Sequence, residues 1–389
     1  ALPILTWFVC CFPEKPNSFL SSPFVENRII GWYTYYFGLD GFLRWDYNLW
    51  TEDPWKDSSY KFPIWKAGDM FFVYPGKDLK PVRSVRMENL RFGIQDFELF
   101  TMLEKEKGRE YIEIELMQEL LNKKVDVIIP IEIGGINSLM PIAVAAQKGL
   151  PILDADAMGR AFPEAQMVTF YLAGYKSSPV TMADEKGNTV VIYPKDGIWA
   201  ERLARTLTIE MGGSSSVSDY ALSGKQVKSA VVENTLTIAE NIGKTLMENR
   251  SNAQVGINKM LEDLKGYKLF EGKIVDIKRE LKGGFTRGHA YFKGINEYTG
   301  DYTILFQNEH LIAKKDDEIL CTTPDLIAVL DLETGIPITT ERMKYGSRVV
   351  VVAFPCNYQW RSEKGLEVAG PKYFGYEVDY VPVEKIQGK

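Results

Sequence analysis

Tryptophan is spread so unevenly along these 389 residues that one domain of uniform composition is a poor description of the chain. Six of the eight indoles, at Trp7, Trp32, Trp45, Trp50, Trp55 and Trp65, precede residue 66, and only Trp199 and Trp360 follow residue 110. The length suits two or three domains. Apolar residues at helical spacing run from 86 to 107 and end in Glu104-Lys-Glu-Lys107 and Gly108, a charge run and a stop that place a boundary there. A second helix is predicted at about 110–122. The expected domains are therefore 1–108, 109–268 and 269–389.

Beyond the boundary the pattern is first α/β. Residues 125–131 form a short apolar run typical of a buried parallel strand. Gly134 and Gly135 follow, then a helix over about 138–148 with Gly149 as its stop, and a second strand at 152–154. This strand–turn–helix–strand order predicts a βαβ unit. Further helices are expected near 199–211, ended by Gly212-Gly213, and near 225–249. From about 269 the segments alternate as β-strands, at 271–281, 286–294, 301–307 and 347–354, which predicts a mostly antiparallel, barrel-like domain.

Composition excludes several classes. The net charge of -6, without a basic run, leaves no footprint for nucleic acid or an anionic membrane. No apolar run approaches the ~20 residues of a membrane span. Cys10, Cys11, Cys321 and Cys356 form no metal-ligand spacing and read as buried free thiols, in keeping with a reducing cytoplasm. With only His289 and His310, a histidine-rich zinc site is not expected. Walker, GxGxxG and GxSxG motifs do not occur.

In open parallel sheets ligands bind beyond the carboxyl ends of strands. Glu132, Gly134 and Gly135 follow the first predicted strand, and Asp154 and Asp156 follow the second, so all are expected at one sheet edge. Glycines there let backbone amides approach an oxygen, the helix start favours negative charge, and Asn137 can both donate and accept. The competing reading is that Asp154 caps the next segment, Asp156 and Arg160 form an ordinary ion pair, and His289 is a satisfied strand histidine.

Two family resemblances are carried by longer motifs. Residues 7–103 contain Trp7-Phe-Val-Cys-Cys11, Gly41-Phe-Leu-Arg-Trp-Asp-Tyr-Asn-Leu-Trp50, Ala67-Gly-Asp69, Val73-Tyr-Pro-Gly76, Ser84-Val-Arg-Met-Glu88 and Gly93-Ile-Gln-Asp-Phe97. This series resembles the C-terminal end of the catalytic domain of glycoside hydrolase family 123, which implies an incomplete (β/α) barrel fragment. Trp45, Asp46, Asn48 and Trp50 would be remnants of its sugar-binding face, or would simply pack the last barrel units. The family's adjacent Asp–Glu pair has no counterpart here.

Residues 125–385 resemble the S-methyl thiohydantoin desulfurase family. The match rests on Pro130-Ile-Glu-Ile-Gly-Gly-Ile-Asn-Ser138, Asp154-Ala-Asp-Ala-Met-Gly-Arg-Ala-Phe-Pro-Glu164, Glu210-Met-Gly-Gly213, Gly283-Gly-Phe-Thr-Arg-Gly-His289, Thr323-Pro-Asp-Leu-Ile327 and Gly370-Pro-Lys-Tyr-Phe-Gly-Tyr376. The resemblance implies an α/β site domain plus a β-rich domain, and an enzyme that replaces sulfur by oxygen on a hydantoin-like ring. Water then needs a base and the leaving sulfur an acid. Glu132, Asp154 and Asp156 are the candidate carboxylates, with His289 as a proton carrier. Gly134, Gly135 and Asn137 would bind the ring; Arg160 and Glu164 would orient the site or pair with each other. A divalent metal on the carboxylates is left open, as is a homo-oligomer; the expected partner is a small molecule. The segment that begins desulfurase-type sequences has no counterpart, so a gene fusion or an assembly error in the source sequence is expected at the junction. A non-catalytic chimera and a carbohydrate-binding remnant are the alternatives.

Overall fold

A computed structural model describes residues 5–10, 12–76, 80–107 and 112–388, the side chains of 102–107 excepted. Cys11 and the stop at Gly108 lie outside the described residues. The chain divides into two compact units, Ala1–Glu110 and Tyr111–Lys389.

In the first unit, β1 (Thr6–Phe8) and β2 (Gly41–Leu43) pair in parallel, and α1 (Phe24–Tyr36) connects them. A hairpin of β3 (Val73–Pro75) and β4 (Pro81–Arg83) precedes α2 (Val85–Lys107). The core between sheet and helices is Val9, Ile30, Phe72 and Leu90. The two helices cross at a pair of glycines: a Cβ on Gly31 would stand 2.0 Å from the Gly93 carbonyl oxygen, and one on Gly93 would stand 2.5 Å from that of Arg28. Sequence periodicity could not reveal this contact, because what matters is the missing side chain. Below it lies a buried ion pair, Arg44 with Asp69 at 2.7 Å. Arg86, 1% exposed, donates to the carbonyls of Ser18, Gly68 and Phe71.

The residues read as a sugar-binding face are used internally. The Trp45 indole donates to Asp69 and packs on Trp65, and the Trp50 indole donates to the Val73 carbonyl. Asp46 accepts from the amides of Tyr47 and Asn48, and Asn48 bridges Phe71.

The second unit begins with α3 (Ile112–Leu121) and α4 (Gly135–Lys148), whose C-terminal Gly149 takes the left-handed conformation expected of a stop. The predicted buried parallel strand at 125–131 is not formed as such: a single parallel bridge joins Ile128 to Ile152, and Val127 is 44% exposed. Pro130 offers no amide to a ladder, and the segment lacks the cover on both faces that a buried parallel strand needs. A two-stranded sheet follows, β5 (Ala155–Asp156) with the later β9 (Val232–Glu233). The short α5 (Thr169–Leu172) leads to a three-stranded sheet in which β6 (Val180–Ala183) lies between β7 (Thr189–Ile192) and β8 (Ser216–Ser218). Between β7 and β8 comes α6 (Gly197–Glu210), capped by Asp196. The helix expected over 225–249 is broken in two, α7 (Gly224–Lys228) and α8 (Thr235–Glu248), because β9 is drawn into pairing with β5 between them. Next is α9 (Ala253–Asp263).

The β-rich part is a curled, seven-stranded antiparallel sheet, a half-barrel. Its strands are β10 (Tyr267–Lys282), β11 (Phe285–Gly294), β12 (Asp301–Gln307), β13 (Glu309–Lys315), β14 (Glu318–Thr322), β15 (Leu326–Asp331) and β16 (Arg348–Phe354), in the order β14-β13-β12-β11-β10-β16-β15. Curling brings β13 and β14 against β15. The inner face packs Phe270, Ile274, Phe292, Ile304, Phe306 and Val351. The outer face of β16, through Val350 and Val352, meets Ile257 and Met260 of α9. Burial on both faces explains why β16 reads as an unbroken apolar run. The chain ends with α10 (Glu363–Ala369), a 3-10 turn at Pro371–Phe374 and α11 (Val383–Ile386). Among the described residues no helix is long and apolar enough to cross a membrane.

The helix crossing yields the first prediction. Gly31→Ala should cost at least the ~1–3 kcal/mol typical of overpacking, since backbone rather than a flexible side chain stands in the way. Urea unfolding followed by tryptophan emission, which reports mainly on the first unit, should show a lower midpoint. An unchanged midpoint would mean that the helices do not cross this closely.

Candidate functional site

The site is assembled around the two turns singled out in the sequence, those after residues 131 and 156. Glu132 is 8% exposed. Its Oε1 accepts from the Asn137 amide at 2.7 Å and its Oε2 from the Phe162 backbone at 3.3 Å. Burial raises its pKa above the usual carboxylate range, opposed by those two donors and by the charge of Arg160. The Gly134 amide, expected to face a ligand, donates instead to Ser138 Oγ at 2.6 Å, and a Cβ there would press on Ala161. Gly135 has φ +49°, a left-handed conformation that favours glycine, with open space around it.

Asp156 and Asp154 do different work from that expected. Asp156 is fully buried and accepts from the amides of Ile133, Met158 and Gly159, which ties the two turns together. Burial pushes its carboxyl up to about 7 against those three amides. Asp154 is turned the other way: it accepts from the backbone and hydroxyl of Thr237 at 3.0 and 2.6 Å, capping the first turn of α8. These bonds hold its pKa low. Among the described residues no hydrogen bond joins Asp154, Asp156 and Glu132 into one group. Residues i and i+2 of a strand point to the same side, but the chain bends at Asp154, just before β5, and the two aspartates serve separate neighbours.

His289 also lies apart. It sits on an exposed position of β11, with Nδ1 3.2 Å from the Tyr291 hydroxyl. Partial burial and the charges of Lys314 and Lys278 lower its pKa. Its neighbours are basic, and no bond to any candidate carboxylate occurs among the described residues.

Arg160 is the centre of the arrangement, though neither as a partner of Glu164 nor of Asp156. It is 6% exposed and donates to the carbonyls of Ala161, Pro324, Asp325 and His310, with its guanidinium 4.5 Å over Phe162. Its charge acts on Glu132 and also on Glu309, a residue sequence reasoning passed over. Glu309 opens β13; its Oε2 is buried without a hydrogen-bond partner. Burial and the nearby Glu132 push its carboxyl up to about 7, partly offset by Arg160. No motif marks Glu309. Only the register, which pairs it with Gln307 across β12 and β13, brings it to this face.

Gln307 in turn reaches Glu164 at 3.5 Å. Glu164 Oε2 accepts from the Tyr373 hydroxyl and from Gln166 Nε2, both at 2.6 Å. Glu164 and Tyr373 line a cleft of about 470 Å³, with Glu201, Arg205, Ile198 and Phe285 among its other walls. Cys321 and Cys356 are buried; burial raises both thiols, Cys356 to about 12, so neither is a ready nucleophile. Among the described residues no three His, Cys, Asp or Glu side chains are placed to hold a metal ion.

Comparison with known proteins agrees with this division. Residues 2–103 match the glycoside hydrolase 123 catalytic domain, residues 100–194 the S-Me-THD-like N-terminal domain, and residues 195–383 the S-Me-THD-like C-terminal domain. No curated protein matches the chain. Nine chains of solved structures match. One is a crystal structure of a protein from Chromobacterium violaceum, 23% identical, covering 70% of this chain and 78% of its own, with a TM-score of 0.58. That likeness concerns the fold. Through its two consecutive domains, the part of the chain from residue 100 to 383 belongs to the S-Me-THD-like family, and it is fused behind a segment of the glycoside hydrolase 123 catalytic domain.

Proposed function

We propose that the second unit hydrolyses a carbon–sulfur bond on a small hydantoin-like ring, with Glu132 and Glu309 dividing the proton transfers. The observation that carries this reading is the pair itself. Two carboxyls from distant parts of the chain are raised together, and one retains a buried oxygen without a partner. Interacting carboxyls whose environments shift their pKa values suit acid and base work near neutral pH. In the proposed step water adds to the ring carbon that bears sulfur. One carboxylate takes the proton of water as the C–O bond forms. The C–S bond breaks, and the other carboxyl gives its proton to the departing thiolate. The proton remaining on the added hydroxyl passes to the adjacent ring nitrogen, so the ring gains a carbonyl and an N–H in place of the sulfur substituent, and a thiol is released. Asp156 supports this site by fixing its turns, and Asp154 by fixing α8.

For the first unit the β1–α1–β2 arrangement, a parallel pair joined through a helix, supports the reading of a (β/α) barrel fragment. The internal use of Trp45, Asp46 and Trp50 argues against a working sugar site there.

Purified protein should release thiol from an S-methyl thiohydantoin. Glu132→Gln and Glu309→Gln should each lower kcat by roughly a hundred- to ten-thousand-fold, the range for loss of a general acid or base. Full activity in both variants would rule out the pair. Release of nitrophenol from nitrophenyl N-acetylgalactosaminide should not exceed the buffer blank; turnover abolished by Asp46→Ala would show a working glycosidase centre.

Stability supplies a check without substrate. The folded pKa of Glu309 lies above its ordinary 4.5, so its protonated form favours folding. That contribution is complete below pH 4.5 and is lost as pH rises through about 7. The unfolding free energy of Glu309→Gln, relative to the unaltered protein, should therefore rise over this window. A difference independent of pH would mean that Glu309 is not held protonated by the fold.

A further inference from the structure

One end of the three-stranded sheet holds a polar cluster that the proposed reaction does not use. In the register of β6 with β8, Thr181 faces Ser218, so Asp219 and Tyr220, which follow β8, emerge at the same end as Ser177, which precedes β6. Successive strand residues point to opposite faces, but Tyr220 has φ +43°, and this left-handed residue breaks the alternation directly after Asp219. Tyr220 is 7% exposed and Ser177 4%, and both hydroxyls are buried without a hydrogen-bond partner. They stand near Asp219 and near each other: burial and the charge of Asp219 raise the pKa of the Tyr220 phenol, and Ser177 opposes the rise. Asp219 itself is half-buried. Burial alone pushes its carboxyl up to about 7, with no cation or hydrogen-bond donor among the described residues acting against it. The Phe170 ring, 5.5 Å from that of Tyr220, forms an apolar wall. A desolvated carboxylate beside two unpartnered hydroxyls is a costly arrangement unless something else supplies positive charge and donors.

We propose that Asp219, Tyr220 and Ser177 bind the primary ammonium group of a small amine, each side-chain oxygen accepting from one of its three N–H bonds. The single carboxylate supplies one unit of charge, which a monocation neutralises. A calcium ion would take about 6–8 oxygen ligands, more than this cluster offers. Binding a cation favours the ionised carboxyl, so it releases a proton wherever Asp219 is still protonated. The other charged and titratable groups around the cluster are Tyr171, which acts on Tyr220, and Asp196, Glu367 and Lys364, which face Tyr171. None of the three proposed ligands takes part in the reaction at Glu132 and Glu309, so the two readings stand or fall separately.

The test is calorimetric titration of the full-length protein with the chlorides of methylammonium, tetramethylammonium and potassium at equal ionic strength. Methylammonium should bind at least ~10-fold more tightly than tetramethylammonium or potassium, which carry the same charge without N–H bonds, because a site built to accept from N–H groups rejects ions that lack them. Its affinity should rise as pH passes upward through about 7, where the Asp219 carboxyl ionises. Asp219→Asn should weaken methylammonium at least ~10-fold, the scale of a lost hydrogen bond to a charged group, with an unfolding midpoint near that of the unaltered protein. No binding of methylammonium, equal affinity for tetramethylammonium, or potassium binding as tightly would overturn the site. An affinity independent of pH, or unchanged in Asp219→Asn, would do the same. The comparison of ions needs no variant and therefore decides the matter even if Asp219→Asn does not fold.

Discussion

The guanidinium of Arg160 is the interaction on which the second unit most depends. A buried cation is costly unless its donors are filled, and here they are filled by backbone carbonyls from its own turn, from the start of β13 and from the loop before β15. The same group therefore holds the turn of Glu132 to the half-barrel and sets the charge that both Glu132 and Glu309 feel. Lysine could not replace it, because the three N–H bonds of an ammonium radiate from one nitrogen and cannot span the four carbonyls that the Nε, Nη1 and Nη2 of the guanidinium reach. Trp360, fully buried and donating to the Met158 carbonyl, makes the second tie between the turn at 156–160 and the C-terminal segments.

Asp156 and Glu309 illustrate why a raised pKa does not by itself identify chemistry. Both carboxyls are pushed up to about 7 by burial. Asp156 spends its oxygens on three backbone amides, so its burial is compensated and its role is to hold two turns. Glu309 keeps an oxygen without a partner and feels a second carboxylate. Only the latter arrangement leaves a proton free to be exchanged with something that enters.

The first unit is organised by other means. Its helices approach through Gly31 and Gly93, and its interior contains the Arg44–Asp69 pair and the Arg86 guanidinium, capped by carbonyls. Five of the six tryptophans that made this region conspicuous donate their indole N–H within the unit: Trp7 to Thr34, Trp32 to Asp96, Trp45 to Asp69, Trp50 to Val73 and Trp55 to Pro75. Their density reflects packing of a small unit more than a ligand face.

From the sequence alone came the division between a tryptophan-rich start and an α/β-then-β chain, the helix ended by Gly149, the strands near 271–281, 286–294, 301–307 and 347–354, and the family motifs around Glu132, Arg160 and Glu164. These are local signals: periodicity, glycine stops and ordered motifs are written in neighbouring residues. The segment at 125–131 read as a buried strand because apolar runs do not reveal whether neighbours exist to cover both faces. Asp154 and Asp156 read as one cluster because spacing along the chain does not reveal that a bend sends one to α8 and the other inward. Glu309 was invisible, since a glutamate at the start of a strand carries no mark until the register of β12 against β13 sets it beside Gln307 and across from Glu132. Which side chains meet is decided by the curl of the sheet and the clamp of Arg160, and both are long-range contacts that no window of sequence contains.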